Sequence, residues 1–173
     1  MSSIVTVHCL NNDTYTDFPR GTDLKTILDT LKIDTGNTIV SAKVNNKVES
    51  LDFEIYNNKN VEFLDISSKS GLRTYLRSLC FILAKAVADV FPNERMNLEH
   101  AVSKGYFCKF QQRESVDQES VNRIKARMQE LIDADLPFTH KEEETTKVVA
   151  MFREQGFEDK ALLLETSCQL YSN

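Results

Sequence analysis

Apolar and polar positions follow one period at the start of the chain and another further on. IVTVHCL (4–10) is β-branched and alternates, which predicts a strand, and TYTDF (14–18) alternates again after an Asn-Asn-Asp turn, completing a hairpin. PRGT breaks the pattern. Asp23 then stands as N-cap to Leu24, Ile27, Leu28 and Leu31, whose i, i+3, i+4, i+7 spacing predicts a helix. TIVSAKVNN (38–46) predicts a strand closed by an Asn-Asn turn, and VEFLDI (61–66) a last one with Val61, Phe63 and Asp65 on one face. One helix laid across a small mixed sheet is a β-grasp arrangement.

Beyond the short polar linker SSKSG (67–71) the helical period dominates. Leu72, Leu76, Leu79, Ile82, Leu83, Ala86, Val87 and Val90 form a wide apolar stripe in a long helix that starts at Ser70 or Gly71 and runs through Phe91. MNLEHAVS (96–103) and GYFCKF (105–110) predict two strands joined through Lys104-Gly105. Residues 116–135 predict a helix with an Asp-x-x-Ser cap and Val121, Ile124, Met128, Leu131 and Ile132 inward. LPFTHK (136–141) predicts a strand, residues 142–156 a helix stopped by Gly156, and KALLLET (160–166) a last strand. The expected class is α+β: a β-grasp domain over 1–66, then an α+β domain with an antiparallel sheet over 67–173.

Charge follows the same division. Residues 1–66 carry 6 Lys+Arg against 10 Asp+Glu, and residues 67–173 carry 15 against 16, giving −4 and −1 of the total −5. A net negative chain argues against broad nonspecific nucleic-acid binding. No run approaches the roughly 18 apolar residues of a membrane span, and the N-terminus lacks a signal-peptide pattern, so no membrane partner and a cytoplasmic address are expected. Cys9, Cys80, Cys108 and Cys168 form neither CxxC nor a zinc-finger spacing with histidine, which suits reduced thiols acting as small hydrophobes. No metal site is expected.

The order of these motifs resembles a known pair of domains. The first unit resembles a TGS domain, the β-grasp module of threonyl-tRNA synthetases and stringent-response enzymes. LRSLCFILAKAVADVFP, LEHAVSKGYFCKF, VNRIKARMQELIDADLPF and MFREQGFEDKALLLE resemble, in order and spacing, the second domain that threonyl- and alanyl-tRNA synthetases share. In that family the first of these helices bears His-x-x-x-His, a pair that serves metal binding or deacylation of mischarged tRNA. Here the matching positions are Arg77 and Phe81, and Lys109 replaces the acidic residue expected after the Gly-aromatic-aromatic run. The family's Cys-x-x-x-His pair belongs beyond Leu164 and does not occur before Asn173, so the second domain reads as truncated. An always-protonated guanidinium is no zinc ligand, and the resemblance therefore implies no catalytic residue and no editing hydrolysis.

VNNKVE, EFLDI, RTYLRSLCF and RMQELIDAD further resemble the N-terminal region of uridine kinase-family proteins, where this pair of domains precedes a P-loop nucleoside kinase. That resemblance implies a regulatory or binding fragment whose partner is its own C-terminal kinase domain, with ATP and Mg belonging to that domain and no cofactor to this chain. Gly21, Gly36, Gly71, Gly105 and Gly156 are isolated and none opens GxxxxGK[ST], so no P-loop lies in the chain itself.

Two polar constellations remain. Lys69, Arg73 and Arg77 recur at i, i+4, i+8 with no acidic residue between Asp65 and Asp89. This strip fits a phosphate, a nucleotide or a tRNA-like RNA backbone, and it also fits a pairing with the acidic half or a solvated face, the usual place of a charge run. His100, Lys104, Tyr106 and Lys109 suit either the polar rim of a pocket around Arg77 or a strand edge. His8 is expected half-buried on its strand, and His140 beside the acidic N-terminus of a helix. The readings left open are a binding module, an editing-like hydrolase or tRNA-binding module, and a docking unit.

Overall fold

The computed structural model describes residues 4–102, 105–111, 115–139 and 141–170. The chain divides into two compact units, residues 1–134 and 135–173. The first begins with the predicted hairpin, β1 (Ile4–Cys9) and β2 (Thr14–Pro19). A two-residue β3 (Thr22–Asp23) leads into α1 (Leu24–Leu31), where the Asp23 carboxylate accepts the Thr26 amide and is held below its usual pKa by that bond. Then follow β4 (Ile39–Val44), β5 (Lys47–Glu49), β6 (Glu54–Ile55) and β7 (Lys59–Asp65).

The five-stranded sheet runs β2-β1-β7-β4-β5, with β1 and β7 parallel and the other pairs antiparallel, and β3 pairs with β6 beside it. Val5, Val7 and Cys9 alternate inward against Leu24 and Ile27 of α1 and Val61 and Phe63 of β7, so one sheet face and one helix stripe close the first core. This is the mixed α+β architecture that the alternation predicts.

A tight corner joins β7 to α2 (Lys69–Val90). The Asp65 carboxylate is almost fully buried and accepts from the Ser67 hydroxyl at 2.6 Å, the Ser67 amide at 2.9 Å and the Asn37 amide at 3.2 Å. The Ser67 hydroxyl first, then the side chains of Thr35 and Asn37, hold this carboxyl far below the ordinary range. Ser68, not Ser70 or Gly71, caps α2: its hydroxyl accepts the Gly71 amide and donates to the Asp65 carbonyl. Gly71 is buried at this corner, and a Cβ there would stand 1.9 Å from the Asp65 carbonyl oxygen.

α2 lies against β4 and β7 and against α3 (Gln118–Asp133), and the hairpin β8 (Met96–Val102) and β9 (Gly105–Phe110) separates the two helices in sequence. A second, smaller core gathers Ala86, Val87, Phe91, Phe110 and Ile124, with Phe91 and Phe110 edge to face. Asp89 of α2 accepts from Lys85 and from Arg127 of α3, and these cations lower its pKa.

The second unit corrects two expectations. KALLLET is not a strand but the body of α5 (Glu158–Leu170), because Lys, Ala, Leu and Glu are strong helix formers and Thr166 is the single β-branched residue of the run. Residues 136–139 form no strand either: Leu136 and Phe138 are exposed and Pro137 has no N–H to give a ladder. His140 lies outside the described residues. α4 (Thr145–Glu154) packs on α5 through Val149 and Ala161, and Gly156 follows α4 at φ +73°, as a helix stop requires. Among the described residues the antiparallel sheet of the chain's second half is therefore the β8–β9 hairpin alone.

Candidate functional site

The exposed side of α2 and the hairpin enclose an open groove of about 420 Å³. Arg77, Cys80 and Phe81 line it from the helix, Leu98 and Glu99 from β8, and Tyr106 from β9. Arg77 and Phe81 are four residues apart, so one helical turn places both on the same wall. Phe81 is 63% exposed, an unusual position for a large apolar ring. Leu98 and Glu99 are sequence neighbours that both reach the groove because the β8–β9 register shifts between Leu98 and Ala101.

The cationic strip runs up the same helix. Lys69, Arg73 and Arg77 are all exposed, and among the described residues no carboxylate pairs with any of them. Lys69 occupies the first turn of α2, where no acidic residue offsets the positive end of the helix. The other candidates are placed differently. His100 faces Phe107, with ring centroids 5.6 Å apart, and does not line the groove. Lys109 is exposed on β9 opposite Asn97, also away from the lining, and Lys104 lies outside the described residues. The structure thus brings together Arg77 and Tyr106 of the sequence candidates, and adds Glu99 and Cys80, which periodicity alone did not mark.

Among the described residues this wall offers a guanidinium, a carboxylate, a phenol and one thiol, that of Cys80, without an imidazole. Cys108, next to Cys80, has its thiol pushed up by burial and then by that neighbour, so it stays protonated rather than becoming a nucleophilic thiolate. Among the described residues no three His, Cys, Asp or Glu side chains gather where they could hold a metal ion. The lining sets the donors of Arg77 beside the rings of Phe81 and Tyr106.

The chain is similar to threonine–tRNA ligases. That of Pelagibacter ubique (strain HTCC1062) is 27% identical over 129 residues, 75% of this chain and 20% of the ligase. That of Natranaerobius thermophilus is 29% identical over 117 residues, 68% and 18% of the two chains. That of Syntrophomonas wolfei is 22% identical over 156 residues, covering 90% of this chain and 25% of the ligase. The chain therefore spans about a fifth to a quarter of the length of the curated relatives it matches. No family model matches it.

These relatives overturn the resemblance to uridine kinase-family proteins. The phrases that suggested a kinase, such as VNNKVE and RTYLRSLCF, lie in strand, turn and helix scaffold and carry no phosphoryl-transfer chemistry. These relatives give no support to a kinase domain as the chain's partner. No helix is long and apolar enough to cross a membrane among the described residues.

Proposed function

We propose that this chain is a noncatalytic tRNA-binding module of the threonyl-tRNA synthetase type, with a β-grasp domain over residues 1–66 and a second, groove-bearing domain from residue 67. A cytoplasmic address goes with this reading. The observation that carries it is the α2 wall: the cations Lys69, Arg73 and Arg77 lead, unpaired among the described residues, to a groove whose chemical positions hold Arg77 and Phe81. Arg77 offers a planar fork of donors to a phosphate oxygen, and Phe81 and Tyr106 offer ring faces to an unstacked base or a terminal ribose.

Hydrolysis of an ester at this wall would need a group that takes a proton from water near neutral pH. Arg77 has no lone pair to accept one, Phe81 has no polar atom, and Cys108, which lies off the lining, has its thiol displaced upward. Glu99 is the single carboxylate on the lining, with no second acid or imidazole beside it there. The groove can therefore hold an acceptor stem without cutting its ester.

The test is a deacylation assay with mischarged tRNA beside a binding titration with the same tRNA uncharged. Binding with ester loss at the rate of buffer alone is the expected result. Turnover above that rate would contradict a noncatalytic module, and absence of binding would contradict the tRNA reading itself.

A further inference from the structure

The outer face of the β-grasp sheet, opposite α1, carries a second cleft unconnected with the α2 groove. It encloses about 330 Å³, at the small end of ligand sites, which run from about 300 to 1,000 Å³. Thr6 and His8 of β1, Tyr15 of β2, Asn45 after β4, and Asn58 and Lys59 at the start of β7 line it. The register explains the grouping: Tyr15 lies opposite His8 in β1–β2, and Asn60 lies beside His8 in the parallel pair β1–β7.

Three features set the cleft apart from an ordinary solvated sheet face. First, the rings of His8 and Tyr15 are stacked, centroids 4.0 Å apart and 4° from parallel, and Tyr15 is 70% exposed. The His8 ring is itself held by Asp13, with Nε2 2.7 Å from the carboxylate. One face of a fixed aromatic pair is therefore open to a third ring. Second, two asparagines are oriented by the backbone. Asn58 Oδ1 accepts the Thr6 amide and Asn45 Oδ1 accepts the Asn60 amide, each at 2.9 Å. A backbone N–H only donates, so these bonds fix which end of each side chain is oxygen and leave the Nδ2 groups, without a partner among the described residues, to the cleft they line. Third, Lys59 is half-buried there and forms no ion pair among the described residues. The nearby carboxylates Asp13 and Asp17 are occupied, by His8 and by the Thr6 hydroxyl at 2.8 Å.

The site thus presents one ring face, fixed amide donors and one cation, and its ligand must supply a flat ring, several acceptor atoms and a negative charge. We infer that this cleft binds one unpaired nucleotide of a single-stranded RNA, its base stacked on Tyr15 and its phosphate held by Lys59 and the asparagine amides. A base within a duplex has neither face free, so an unpaired nucleotide is required. The inference takes from the proposed tRNA reading only the choice of RNA as polymer, and it concerns a different surface, so either can fail alone.

The experiment is a titration of the full chain with a five-nucleotide single-stranded RNA, followed residue by residue through amide chemical shifts. Saturable shifts confined to Thr6, His8, Tyr15, Asn45 and residues 58–60 are expected. Tyr15→Ala and Lys59→Gln should each raise Kd about tenfold, whereas Tyr15→Phe, which keeps the ring, should leave it within about twofold. The ring-keeping variant guards against a loss that merely reflects unfolding. The inference is overturned if millimolar RNA leaves these amides unmoved, or if Tyr15→Ala binds like the wild type. It is also overturned if inorganic phosphate or a polyglutamate peptide shifts the same amides as strongly as RNA does. Loss of tRNA binding at α2 with the pentamer still bound here would leave it standing.

Discussion

The β-grasp sheet and the α2–hairpin region bury their apolar residues in opposite styles. In the sheet, eleven described residues from β1, β2, α1, β4, β6 and β7 close one core, and Val7, Leu24, Ile27 and Val61 are wholly shut off from solvent. In the second region five residues do this work, while Phe81, Leu98, Tyr106 and Phe107 stay open along the hairpin and helix. On the proposed reading, large exposed rings beside cations that form no ion pair among the described residues serve binding, whereas the sealed core serves stability. The sheet's polar outer face shows a third use, in which side chains are held in place by backbone bonds rather than by packing.

The largest test of this contrast is a pair of truncations. Ile27→Ala, inside the sealed core, should cost about 3–4 kcal/mol, and Ile124→Ala, in the smaller core, about 2 kcal/mol, both read from urea unfolding. Equal losses would erase the distinction. Next comes the corner between the two regions. Gly71→Ala drives a methyl group into the Asp65 carbonyl, a backbone atom that cannot step aside, and should cost about 2 kcal/mol with α2 displaced. If the variant unfolds like the wild type, the corner is not tight. The smallest effect concerns acid. Asp65 is held below its ordinary pKa of 3.8, so its contribution is fully present above that value and fades as pH falls through and below it. Acid unfolding curves should show this limb, and Asp65→Asn should flatten it while lowering stability at neutral pH; a curve of unchanged shape would remove Asp65 from the account.

Much of the first region was legible in residues 4–66 because alternation is decisive where one face is buried and one is wet. The helix at Leu24 was legible from its cap. KALLLET misled because four consecutive apolar positions fit either period, and only the helix-forming flanks decide. The strand expected at LPFTHK had no partner to pair with among the described residues. At the groove, the spacing of Arg77 and Phe81 placed both on one wall, but Glu99 depended on a register shift that no local pattern announces. The β-grasp cleft was hidden for a similar reason. Tyr15, Asn45 and Lys59 are far apart in sequence and meet only through a parallel β1–β7 pairing. The kinase resemblance failed because it rested on scaffold residues, and shared scaffold carries no chemistry.

The central claim is that α2 grips RNA through its cations. The direct measurement is the affinity of uncharged tRNA for the full chain and for Arg73→Ala/Arg77→Ala, each across a range of salt. Both substitutions lie at exposed positions, so folding should survive. The account predicts at least a tenfold rise in Kd and a salt slope shallower by about 1.5 to 2, since each arginine removed leaves one phosphate un-neutralised. An unchanged Kd with an unchanged slope would contradict it.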